Sequence, residues 1–169
     1  MGGAELPSSS SVDYVELLTS ATSLVTNISR LDSVLGMWFD YIENVITYDI
    51  GLLIVYEDHV ANMRFIRNKS VADYDTDSYL GNELQLSSTT LDLSDDDIEF
   101  AIMNAGEIND LVEQLNLPDM KSAIKMPIVN NERVLGCLIC VSQDYSYHID
   151  ELQKARPFVN ILSGALQTV

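Results

Sequence analysis

Few residues of chemically active type stand in this chain at spacings that would let them act together. Cys137 and Cys140 form a C-x-x-C pair. At a helix start that spacing makes a redox dithiol, because the helix dipole lowers a thiol pKa there. Here the pair lies in the apolar run Val134 to Val141, which reads as a strand. On a strand, residues three apart point to opposite faces. The expectation is two small buried core residues rather than a redox couple, and two thiols alone cannot complete a four-ligand zinc site. Asp73, Asp75 and Asp77 alternate like the opening of a calcium loop. The rest of that pattern fails: Ser78 stands where the sharp turn needs Gly, Leu84 stands where the closing carboxylate belongs, and Glu83 is one position early. A solvated acidic loop without tight calcium binding is expected. His59 and His148 fall in predicted connections, where a lone His is more often exposed than ligating. No Ser-His-Asp order, phosphate-cradling Gly loop or paired-His motif occurs, so the sequence points away from catalysis.

The elements that must position these residues follow from periodicity. Residues 1 to 10 are expected to be a flexible tail, and 11 to 169 a single domain. Leu17, Ala21, Leu24, Ile28 and Leu31 predict an amphipathic helix, core-facing or a short dimer seam. Asp32 and Ser33 are expected to cap a second helix with Val34, Trp38, Tyr41 and Val45 on its stripe, broken at Asp49. Ile50 to Tyr56 and Met63 to Arg67 read as a strand hairpin.

Residues 70 to 120 hold 13 acids and no Lys or Arg. Leu84 to Leu86 reads as a short strand. Ser94 and the three Asp after it predict a helix start, with Ile98, Ala101 and Ile102 on one helical face that ends at Asn104 to Gly106. The run Asp92 to Glu99 is expected at the surface. Ile108, Leu111, Val112 and Leu115 predict a second short helix. Ser122 to Val129 and Val134 to Val141 form another hairpin about Asn130-Asn131. A final helix starts near Asp150, and Pro157 should kink it or restart it near Arg156. Two hairpins with helices at both ends argue an α+β domain with an antiparallel sheet.

Composition narrows the partners. The 169 residues are 47% hydrophobic and 21% charged, which excludes a fully disordered chain. Twenty-six acids against nine bases give a net charge of −17. Such a field opposes direct nucleic-acid and anionic-membrane binding. No apolar run reaches membrane-span length and no secretory signal is visible, so a reduced, cytoplasmic domain is expected.

Three stretches resemble the GAF domain family of small-molecule-sensing modules. They are Arg30-Leu31-Asp32-Ser33-Val34-Leu35 onward through Val45, then Tyr48-Asp49-Ile50-Gly51-Leu52-Leu53-Ile54-Val55, and finally Ser122 to Ile128 with Arg133-Val134-Leu135-Gly136-Cys137-Leu138. The resemblance covers roughly residues 12 to 168. It implies an antiparallel sheet with the terminal helices on one face and the 70 to 120 insertion covering the other, over a ligand pocket. It also implies a homodimer through the terminal helices, within a larger signalling protein.

The chemistries known in that family fit these residues unevenly. The cyclic-nucleotide motif survives only as Asp150-Glu151, since Ser142-Gln143 replace its Asn-Lys and Tyr147 is off register. Neither Cys precedes a His, as a bilin anchor commonly would. Methionine-sulfoxide reduction would need the two cysteines. No cofactor is singled out.

Strand parity supplies a ligand candidate. Ile124, Met126 and Ile128 share one face, expected to pack on the terminal helices, and Ala123, Lys125 and Pro127 share the other. Lys125 then points toward the acidic insertion, where the resemblance places the ligand. It is the expected anchor for an unidentified small molecule, or the partner of a local acid, with Tyr56, Tyr79 and Phe100 as pocket walls. The expected function is a non-catalytic sensory domain. The alternative is a ligand-free dimerisation or docking module.

Overall fold

Two local hairpins supply the centre of the sheet. The computed structural model describes residues 14–19, 31–57, 60–84, 99–131 and 133–167. β1 (Ile50–Glu57) pairs antiparallel with β2 (Val60–Asn68). Two further edge strands are β3 (Glu83–Leu84) and β4 (Ala101–Asn104), and β5 (Ser122–Asn130) pairs antiparallel with β6 (Arg133–Ser142). β1 joins β6, giving the order β3-β2-β1-β6-β5-β4. Asn131 takes the left-handed conformation at φ 52 in the β5–β6 turn, as its tolerance for that region anticipates.

Each face of the sheet has its own cover. Leu53, Ile124, Met126, Ile128, Leu138 and Cys140 pack against α1 (Leu31–Ile42) and the final helix, α3 (Ile149–Gln167). Ile50, Leu52, Ile54, Met63, Ala123, Cys137 and Ile139 face the insertion, where Ile108, Leu111 and Leu115 are fully buried about the short helix α2 (Asn109–Gln114). The α+β architecture read from the sequence is therefore the one observed, with helices on one face and the insertion on the other.

The final helix runs through Pro157 without restarting. Pro157 removes the donor that Gln153 would otherwise receive, and the neighbouring Lys154 carbonyl accepts the Tyr14 hydroxyl at 2.9 Å. Tyr14, in a helical segment at 14–19, also meets the Phe158 ring edge-on at 5.5 Å. The terminal segments thus lie side by side, while Ala21, Leu24 and Ile28 of the expected stripe lie outside the described residues.

Four readings need correction. Asp32 and Ser33 sit inside the first turn of α1 rather than before it. The helix stops at Ile42, well before Asp49, where the Asn44 amide donates to the carbonyls of Asp40 and Tyr41. Its buried side also includes Phe39, while Tyr41 and Val45 are only half-buried. The largest miss is β4: residues 101–104 form an edge strand, not a helix. Ile102 faces α3 and Met103 faces α2, the alternation of a strand. Ser94 and the acidic run after it to Asp97 lie outside the described residues, as do His59 and residues 85–86 of the expected short strand.

Two polar knots fix the frame. Arg67 of β2 reaches α1, donating to Asp40 at 2.7 Å, to Glu43 at 3.2 Å and to the Gly36 carbonyl at 2.6 Å. Glu43 also accepts the Tyr48 hydroxyl at 2.7 Å and lies 3.5 Å from the Lys69 ammonium. Asp49 joins three strand ends. Its carboxylate accepts from the Gln143 amide and the Ser70 hydroxyl, its carbonyl accepts from the Lys69 amide, and its own amide donates to Val141.

Candidate functional site

The insertion face of the sheet is built from the inward positions of four long strands. Across it, Lys125 stands opposite Ile139 on one side and Ala101 on the other, and Ile139 in turn stands opposite Leu52. The parity expectation for β5 holds: Ile124, Met126 and Ile128 pack on the helices, and Ala123 packs on the insertion. Lys125 is half-buried among these apolar neighbours. The segment 71–82 closes one side of the face. Tyr74 and Tyr79 stack there with centroids 5.7 Å apart and planes 4° apart. The Tyr74 hydroxyl donates to the Leu115 carbonyl at 2.8 Å, and the Asn116 amide donates to the Tyr79 hydroxyl at 2.7 Å. The loop is thereby tied to the end of α2.

Lys125, Tyr56 and Tyr79 share this face, since both tyrosines pack against its buried cluster. They do not converge at one point. Tyr56 lies two strands from Lys125 and four residues beyond Leu52, about 10 Å across and about 13 Å along the sheet. Phe100 is placed on the opposite face, against the α1–α3 cluster, with the Arg156 guanidinium 4.5 Å from its ring centroid. Loop direction decided that placement, and only the alternation through Phe100, Ile102 and Met103 could have signalled it.

The two cysteines lie on opposite faces, as strand geometry requires. Cys137 belongs to the insertion-side cluster and Cys140 to the helix-side cluster. Both are free and buried. Burial pushes the Cys137 thiol up to about 12, although the nearby Lys125 charge pulls it the other way. Burial, chiefly, pushes Cys140 up as well. Neither is poised as a thiolate.

An alkaline-lability prediction follows. Below the ordinary thiol value of 9.0, folded and unfolded chains both hold the proton. Above it the unfolded chain releases the proton while the folded chain retains it, so stability falls as pH rises from there toward 12. Tyr48 and Tyr147, both pushed up mainly by burial, act in the same direction. Melting temperature should therefore decline steadily above pH 9. A thiol reagent at pH 8 should leave the native protein unlabelled and modify both cysteines in denaturant; rapid native labelling would contradict the burial.

The other singled-out groups have local structural work. Asp75 accepts from the Ser78 hydroxyl at 2.5 Å and the Asp77 amide at 3.1 Å, and the Ser78 hydrogen bond holds its carboxyl below the usual value. Among the described residues no three His, Cys, Asp or Glu side chains gather as metal ligands. Glu151 accepts the His148 amide at 3.0 Å and the Tyr145 hydroxyl at 2.9 Å, a capping arrangement at the start of α3. That role accounts for Glu151, and Asp150 and His148 are exposed. No described helix is long and apolar enough to cross a membrane.

This two-faced sheet, with both terminal helical segments on one side and an insertion on the other, is the fold of a GAF domain. The GAF domain of a phosphoenolpyruvate-protein phosphotransferase from Coxiella burnetii superposes with a TM-score of 0.75 at 14% identity, covering 95% of this chain and 96% of that one. The GAF domain of an Acinetobacter phosphoenolpyruvate-protein phosphotransferase gives 0.68 at 13% identity, over 91% and 92%. That of a two-component sensor histidine kinase from Bacillus halodurans gives 0.66 at 16%, over 83% and 96%. No family model matches the sequence, and no curated protein matches it either. The likeness is one of fold.

Proposed function

We propose that this chain is a non-catalytic, cytoplasmic regulatory domain of a signalling protein, which binds a small molecule on the insertion face and passes the signal through paired terminal helices in a homodimer. The observation that carries the reading is Lys125, a half-buried cation on an otherwise apolar strand face, beneath the insertion in a GAF fold. A cation there favours a ligand that brings a carboxylate. Solved structures of similar fold are GAF domains of phosphotransferases and a sensor kinase, which supports a regulatory role. The buried, neutral thiols support a reading without redox catalysis.

A second reading has its own support. Ile108, Leu111 and Leu115 fill much of the insertion face with the chain's own side chains, which favours a ligand-free docking or dimerisation module. Thermal-shift screening with aromatic carboxylates and dicarboxylates separates the two. A sensor should show a reproducible rise in melting temperature with at least one compound. Lys125→Met keeps the aliphatic stem and removes the charge, and should weaken that binding about tenfold or more with the fold intact. Indifference to the whole panel, with a dimer in native mass spectrometry, favours the docking module.

A further inference from the structure

A cleft lies at the edge of the sheet, between the end of β5 and the final helix, apart from the stretch of the insertion face around Lys125. β4 ends at Ala101, opposite Lys125, so β5 beyond that residue has no β4 partner. Pro127, which lacks an amide donor, sits in this free stretch. Where β4 stops, a cleft of about 360 Å³ opens among Glu99, Phe100, Pro127, Val129, Arg156 and Asn160. That volume suits a ligand the size of a metabolite.

The charges in the cleft are arranged unusually for so acidic a chain. Arg156 lies over the Phe100 ring with its guanidinium 4.5 Å from the centroid. The cation–π contact holds the guanidinium at the cleft, and a fork has more N–H donors than one ring face can engage. No carboxylate among the described residues pairs with Arg156, although Glu99 lines the same cleft. Asn160, one helical turn beyond Arg156, adds an amide that both donates and accepts. Pro127, Val129 and the Phe100 edge supply apolar surface. Among the described residues, a cationic fork, a separate carboxylate and a small apolar margin match a small zwitterion with a hydrocarbon substituent. A free anion is a poorer match, because Glu99 and the net charge of −17 both oppose it. A net-neutral zwitterion meets no such field.

We infer that this cleft binds a free amino acid, its carboxylate on Arg156, its ammonium on Glu99 and its side chain on Pro127 and Val129. Arg156 and Asn160 flank Pro157, so occupancy would brace α3 at the residue where its hydrogen-bond ladder is interrupted.

The test is a titration followed by ¹H–¹⁵N correlation spectra, with L-leucine, L-methionine and L-phenylalanine as probes at millimolar concentration. Saturable shifts at Phe100, Val129 and the Asn160 side-chain amide are expected. The N-acetyl and the C-terminal amide derivatives of the same amino acids should each bind about tenfold or more weaker, a control that needs no variant. Arg156→Gln, at an exposed position, should lose binding by a similar factor, and Lys125→Met should leave it unchanged. No saturable shift with any probe, equal binding of the blocked derivatives, or unchanged affinity in Arg156→Gln would each overturn the inference. Loss of binding in Lys125→Met with retention in Arg156→Gln would move the ligand to the insertion face instead.

Discussion

Gly136→Ala is expected to cost about 3 kcal/mol or more and to lower the urea midpoint sharply. A Cβ at position 136 would lie 2.4 Å from the Ile54 carbonyl oxygen and 3.3 Å from the Val55 Cα. Both neighbours are backbone of β1, and Gly136 stands opposite Val55 in the β1–β6 ladder. A flexible side chain could swing aside; a central strand held on both edges cannot move without breaking its pairing. Gly51 differs instructively, because its missing Cβ would meet the Phe39 ring at 2.5 Å, a side chain that can rotate at the expense of its packing. Gly164→Ala is the control. Nothing lies within 4 Å of a Cβ there, and α3 should gain up to about 1 kcal/mol in helix propensity. Equal midpoints for Gly136→Ala and the parent chain would mean that β1 and β6 do not approach as described.

Trp38→Ala should cost about 4 kcal/mol, a large part of the roughly 5–15 kcal/mol that stabilises an ordinary domain. Trp38 is fully buried in α1, and its indole N–H donates to the Phe158 carbonyl of α3 at 3.0 Å. It also meets Phe39 edge-on at 5.4 Å. One side chain therefore joins two helices to each other and to the sheet. Trp38→Phe keeps most of the apolar volume and drops the donor, so it should cost about 1–2 kcal/mol. Denaturant titration by circular dichroism measures both variants. As the one tryptophan in the chain, Trp38 should also emit at short wavelength when folded and shift red on unfolding. A loss below about 1 kcal/mol in Trp38→Ala would mean that α1 and α3 share no core at this point.

The legible parts of the fold were those with long, unambiguous periodicity. Ile50 to Tyr56 and Val134 to Val141 are continuous apolar runs, and both became strands buried on two faces. Strand parity sorted Ile124 from Ala123 and Cys137 from Cys140 without knowledge of the tertiary fold. β4 was illegible because four residues satisfy either period: Ile98, Ala101 and Ile102 match a helical face, yet Ile102 and Met103 alternate across a sheet. At Pro157 a kink or a restart is the local expectation; the helix does not restart, and runs unbroken from Ile149 to Gln167. The Arg67 knot and the Arg156–Phe100 stack join residues distant in sequence, and no local pattern announces such pairs. At the candidate site the sequence placed Lys125 on its face, but not Phe100, whose side depends on how the chain enters β4.

The β1–β6 ladder has a consequence for how the molecule forms and how it can vary. Each hairpin closes over a short turn and can assemble within microseconds. Bringing Ile50 opposite Val141 requires closing everything between them, so that pairing should be the slow, rate-setting event. The entropy of that closure grows only with the logarithm of the loop, about 0.6 kcal/mol for each doubling of its length. Sequence between the hairpins is therefore thermodynamically cheap to lengthen, shorten or rewrite, provided the positions that fill the sheet stay apolar. The cover of this sheet face can change in the intervening segment while the two hairpins stay as they are.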